Sequence, residues 1–161
     1  TTSLRAAASL LALLLPAMAF AQQAPVKVGL LYNGPIGDVG WTYQHDLGRQ
    51  EMEKALGAKV SVRTVPNTSE GPDGARVARE LTADGNKVVF AVGFGYMRDV
   101  LKLAAENPNT CYAVATGYLT APNVSGYNAR WEEGGYLAGI VAGKATKNNK
   151  IGFVGDRKSV V

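Results

Sequence analysis

The sequence predicts an α/β fold: a parallel sheet with helices on both faces. Three observations carry this. Short apolar runs of strand length alternate with helical stretches along the chain. The run Val88–Val92 (VVFAV) is apolar at every position, as a strand buried on both faces must be. Glycine-rich turns follow the strands rather than punctuating the helices.

Taken in order, Val26–Tyr32 (VKVGLLY) is the first buried strand. A helix is predicted over Tyr43–Leu56, with Leu47, Met52, Ala55 and Leu56 as its apolar stripe and Gly57 as its stop. Val60–Val65 alternates and reads as a strand. Pro66–Gly74 is rich in turn residues and reads as a loop. Ala75–Asp84 is the next helix, with Ala78 and Leu81 on one face and Gly85 at its end. Val88–Val92 is the third strand. Met97, Val100, Leu101 and Ala104 stand at helical spacing and predict a helix over Met97–Glu106, closed by Asn107-Pro108-Asn109. Cys111–Ala115 is a strand, and Val124–Tyr127 a short edge-like one. The last helix is Glu132–Ala145. Its Gly135, Gly139 and Gly143 leave a smooth face expected to pack tightly on the sheet. Ile151–Val154 is expected to be the last strand.

The ends read differently from the middle. Arg5, an apolar run over 6–15 and the small residues Ala19 and Ala21 form a secretory signal pattern over residues 1–21, with cleavage expected after Ala21. The run is too short for a spanning helix, which takes about 20 apolar residues. A periplasmic location follows as an expectation. Residues 156–161 match the translation of a common sequencing adapter and are expected to be a non-native tail. The part left to fold as a domain is then 22–155. Without the two end segments the net charge falls from +4 to about +2, and no basic stripe supports nucleic-acid binding.

A single Cys111 excludes an internal disulfide. Its apolar run predicts a buried, inert thiol. One His and one Cys build no His/Cys-rich metal site, and a carboxylate site stays open but has no motif, so no metal is expected. No cofactor is expected either, because the loop Asn33–Trp41 lacks both the P-loop ending and the G-x-G-x-x-G spacing. No nucleophile elbow is present, and His45 and Asp46 are adjacent on a helix, where they do not face each other. His45 is expected to be a polar residue near a cleft. The chain is expected not to be an enzyme.

Binding residues are sought where strands end. In open α/β sheets ligands sit outside the carboxyl ends of the strands. Asp38 and Trp41 stand there after the first strand, either as ligand contacts or as a helix cap and staple. Gly93, Phe94 and Tyr96 follow the third strand, either as a second rim segment or as a packed turn. Thr116-Gly117-Tyr118 is a weaker third segment. Asn128, in Tyr127-Asn128-Ala129-Arg130, is able to donate to and accept from a heterocycle edge. A flat ligand stacked on Trp41 suits this set.

These blocks carry a family resemblance. Val28–Leu31, GDVGWTYQHDLG (37–48), GFGYM (93–97), APNV (121–124), YNAR (127–130), EGGYLAG (133–139) and IGFVG (151–155) resemble the basic-membrane-protein (BMP) type of solute-binding proteins of ABC importers. The resemblance covers nearly all of 26–155. It implies a periplasmic-binding-protein type I fold with two Rossmann-like lobes joined by a hinge, of which this sequence holds one. It implies a purine base or purine nucleoside between the lobes, with Trp41 stacking on the base, and delivery to an ABC permease at the inner membrane. A monomer is expected for the full-length protein. A sugar-binding receptor and an exported ligand-sensing domain are the alternatives.

Overall fold

The structure is a computed structural model that describes residues 24–37 and 39–154. The predicted signal over 1–21 and the predicted tail over 156–161 lie outside the described residues. So does Asp38.

The chain runs β1 (Val26–Tyr32), α1 (Trp41–Leu56), β2 (Val60–Val65), α2 (Pro72–Ala83), β3 (Val88–Val92), α3 (Met97–Glu106), β4 (Cys111–Ala115), β5 (Val124–Tyr127) and α4 (Trp131–Ala145). The five strands form one sheet in the order β2-β1-β3-β4-β5. Every pairing is parallel, from Val26 opposite Val60 at one side to Ala115 opposite Tyr127 at the other. The predicted α/β class and all five of these strands stand as expected, with β5 at an edge. The chain leaves β1 for one neighbour and returns for the other, so the sheet has a topological switch point between β1 and β3.

Strand alternation divides the core in two. Leu31, Val89, Ala91 and Val114 face α2 and α3, where Leu81, Val100 and Tyr112 join them. Leu30, Tyr32, Val92 and Ala115 face the other way, with Trp41 and Met52 of α1 beside them and Phe90 and Tyr127 only partly buried.

Three helices start earlier than the sequence predicts, α4 by the single residue Trp131. Helix α2 starts at Pro72, inside the predicted loop, because a proline is tolerated where no intrahelical N–H bond is made. Helix α1 starts at Trp41, with Gly40 as its cap residue. A short 3₁₀ turn, Phe94–Tyr96, leads into α3.

Three expectations fail. Cys111 is exposed rather than buried. It pairs with Val88, so it points to the face that α2 and α3 do not cover. Ile151–Val154 forms no strand. Ile151 is 62% exposed and Val154 98%; an apolar run has strand propensity, but only pairing makes it a strand. Helix α4 does not pack on the sheet. It has no buried residue, and nothing lies within 4 Å of a Cβ built on Gly135, Gly139 or Gly143. A crossover helix is held against a sheet by the strand that follows it, and that strand does not form here. Among the described residues, no helix is long and apolar enough to cross a membrane.

Candidate functional site

At the switch point, α1 is pinned by its first side chain. Trp41 Nε1 donates to the carbonyl of Val92, the last residue of β3, at 3.2 Å. The polar edge of the indole is thereby used, and its face remains. One turn later His45 Nδ1 donates to Trp41 O at 2.8 Å, which leaves Nε2 without that bond.

The same helix is locked to β1 from below. Asp46 is 2% exposed. Its carboxylate accepts from Arg49 Nε at 2.6 Å and Nη2 at 3.0 Å, from Gln50 Nε2 at 2.8 Å and from Tyr32 Oη at 3.3 Å. A buried charge needs this much compensation. The Arg49 hydrogen bonds hold Asp46 below the ordinary carboxylate range, although burial opposes them. Burial, with the Asp46 charge second, raises the Tyr32 phenol. Arg49 also pairs with Glu53.

A cavity of about 530 Å³ opens between α1 and the half-covered sheet face. This is a size that holds a small ligand. Leu30, Phe90, Val92 and Ala115 make its floor, Trp41, His45 and Met52 one wall, and Thr116, Tyr127, Asn128 and Trp131 the other side. The aromatic groups are close. Trp41 and His45 rings lie 4.5 Å apart, and Trp41 and Trp131 rings 5.8 Å apart. His45 and Tyr127 rings also lie 5.8 Å apart, and Phe90 and Tyr127 rings 6.3 Å apart. Burial pushes the Tyr127 phenol up to about 12. Thr116 has φ 58°, a left-handed backbone that costs a β-branched residue energy and often marks a functional turn.

The structure thus brings Trp41 and Asn128 together in one cavity. Gly93, Phe94 and Tyr96 do not line that cavity. Phe94 stacks on Tyr118 at 5.0 Å, on the rim outside the cavity. Tyr96 is 1% exposed, and its hydroxyl donates to Thr68 O beneath the rim, so its ring is floor rather than contact surface. Burial, then the Glu70 charge, raises that phenol. Gly93 and Gly95 flank Glu70, whose carboxylate accepts the Gly95 N–H at 3.1 Å. A Cβ at either glycine would collide with that carboxylate.

The sequence signal passed over Glu70, Phe90 and Trp131. Phe90 was findable, since it shares the strand face of Val92. Trp131 joins Trp41 only through tertiary structure. Among the described residues, no group of three or more His, Cys, Asp or Glu is placed to hold a metal ion.

Comparison with known proteins agrees with this architecture. A purine-binding protein of Brucella abortus is 45% identical over 130 residues, 81% of this chain and 37% of that protein. A protein of Haloferax volcanii, whose name assigns it to ABC-transporter glucose binding, is 34% identical over 80% of this chain and 32% of its own length. The chain therefore spans about a third of the length of these curated relatives. An ABC-transporter solute-binding protein structure from Conexibacter woesei superimposes with a TM-score of 0.61 at 27% identity, over 73% of this chain and 40% of that one. The family described as ABC transporter substrate-binding protein PnrA-like matches residues 25–161, and the chain belongs to that family, Bmp.

Proposed function

We propose that this chain is the ligand-binding lobe of a periplasmic receptor that takes up a purine base or purine nucleoside and passes it to an ABC permease. The observation that carries the reading is the cavity against the face of Trp41. Its walls are mainly apolar and aromatic, and some of the polar groups near it are already engaged. Asn128 Oδ1 accepts from Ala129 N and Trp131 Nε1, and Thr116 Oγ1 donates to Ala115 O. Flat surface and few free hydrogen bonds suit a heteroaromatic ring, and stacking on an aromatic side chain is worth about 1–3 kcal/mol per base. The purine-binding Brucella relative supports the same ligand class. No catalytic set accompanies the site, and the role proposed is binding alone.

A second reading has its own support. The Haloferax relative is named for glucose binding, and a pyranose also stacks on tryptophan. A hexose, however, presents many hydroxyls that ask for polar partners.

A thermal-shift panel separates the two. Adenine, guanine, hypoxanthine, their nucleosides, glucose, ribose and NAD are each added to the chain. A ligand at a hundred times its dissociation constant stabilises by about 2.7 kcal/mol, a rise of several degrees. A rise with purines alone supports the proposal. A rise with glucose and none with purines replaces it.

A further inference from the structure

Burial raises the phenols of four tyrosines: Tyr32, Tyr96, Tyr112 and Tyr127. Three of them are hydrogen-bonded. Tyr32 donates to Asp46, Tyr96 donates to Thr68 O, and Tyr112 shares a bond with Thr82 Oγ1. Tyr127 differs. Its hydroxyl makes no hydrogen bond to any described residue, and burial alone raises it. The three bonded tyrosines lie away from the cavity, and Tyr127 lines it.

The Tyr127 ring is held in place. Its residue pairs with Ala115, and its carbonyl accepts from Thr116 N at 2.8 Å. The Phe90 ring meets it edge-on at 6.3 Å between centroids, and the His45 ring lies 5.8 Å away. Both separations are within the range of aromatic contact.

Among the described residues, no fully buried side-chain nitrogen or oxygen lacks a partner. The Tyr127 hydroxyl, unbonded on a half-buried residue, is therefore reached by solvent, and the cavity is the space this residue lines. A ligand that fills the cavity takes that solvent away. A polar group desolvated without a new partner is costly, so a well-fitted ligand supplies one. Neighbouring polar groups are committed elsewhere: Arg49 to Asp46 and Glu53, and Thr116 Oγ1 to Ala115 O.

We propose that the Tyr127 hydroxyl is a specificity-determining group of the site, donating a hydrogen bond to an acceptor atom at the edge of the ligand. In a purine that acceptor is a ring nitrogen: N1, N3 or N7. The inference rests on reading the cavity as the purine site. It adds one directional contact to walls that are mainly apolar and aromatic. Stacking accepts any flat ring, whereas a site built to hydrogen-bond one atom rejects the analogue that lacks it.

Tyr127→Phe keeps the ring and removes the hydroxyl. Adenine and its 1-deaza, 3-deaza and 7-deaza analogues are measured on both chains by equilibrium dialysis, beside a chemical denaturation curve for each chain. Tyr127→Phe is expected to bind adenine about tenfold more weakly. Its denaturation midpoint is expected to be unchanged or raised, because no hydrogen bond within the protein is lost. One deaza analogue is expected to bind wild type about tenfold more weakly than adenine and to lose nothing further in Tyr127→Phe. That coincidence identifies the nitrogen.

Adenine binding at wild-type strength in Tyr127→Phe overturns the assignment. So does a further loss for all three analogues, which leaves the hydroxyl no ring nitrogen as its partner. A midpoint lowered enough to account for the weaker binding makes Tyr127 a packing residue and overturns it too. If wild type takes up no adenine, the purine reading falls instead, and glucose and ribose become the probes. The assignment then stands if Tyr127→Phe weakens whichever sugar binds, and falls if it does not or if neither binds.

Discussion

On one face of the sheet, α2 and α3 close completely over Leu31, Val89, Ala91 and Val114, each 0% exposed. On the other face α1 stands alone. It covers Leu30 and Val92, while Phe90 and Tyr127 remain half-buried along the open cavity. Both faces belong to the same five strands and draw on the same alternating residues. The finished face supplies stability, and the unfinished face supplies walls for a ligand. A site needs surface that folding has not already consumed.

The largest expected effect tests that division on the closed face. Leu81 is 0% exposed and packs between α2 and the sheet. Leu81→Ala should cost about 3 kcal/mol by chemical denaturation, within the usual range for a buried leucine. Phe90→Ala removes a larger side chain from the open face, yet should cost only about 1–2 kcal/mol, because that ring is only partly buried. Equal losses at both positions would erase the distinction.

The next effect concerns how the open face holds its single helix. Asp46→Asn removes a buried charge and leaves Arg49 with Glu53 alone. A broken buried pair costs about 3–5 kcal/mol. Arg49 keeps one partner and is 19% exposed, so about 2 kcal/mol is expected at neutral pH. The pH dependence has a definite sign. The folded pKa of Asp46 is depressed, so its stabilisation is present above the unfolded value and is lost as pH falls below about 4 toward the folded value. Asp46→Asn should lack that part of the acid slope. An unchanged slope would mean that another carboxylate controls acid unfolding.

Trp41 sharpens the comparison further, because it belongs to both roles. Trp41→Ala should weaken purine binding by about 1–3 kcal/mol, measured by dialysis. Lost stability with unchanged affinity would make Trp41 a packing residue and move the site elsewhere.

The sequence made the closed half of this structure readable and the open half only partly so. Val88–Val92 and its neighbours are legible because burial on both faces leaves an unbroken apolar run. Periodicity also placed α3 from Met97 to Glu106. The start of α2 at Pro72 was hidden in a turn-rich stretch, since Pro and Gly signal both loops and helix starts. The site was legible one residue at a time. Trp41 and Asn128 stand at strand ends and share the cavity. Tyr96 stands at a strand end too, but its ring turns inward, and no local pattern separates an inward aromatic from an outward one. That Trp131 meets Trp41 depends on the path the chain takes beyond β5.

Helix α4 gives the smallest expected effect and the sharpest contrast with the closed face. Leu137 has the composition of a core residue: it lies in an apolar helix beside Tyr136 and Ile140. By sequence alone it would be placed with Leu81. In the structure it is 63% exposed, on a helix with no buried residue. A side chain that touches little loses little, so Leu137→Ala should change stability by less than about 0.5 kcal/mol. The measurement is the same denaturation curve used for Leu81→Ala. A loss above about 1 kcal/mol would mean that α4 is packed against something in solution, and its Gly135, Gly139 and Gly143 face would be the first place to look for the contact.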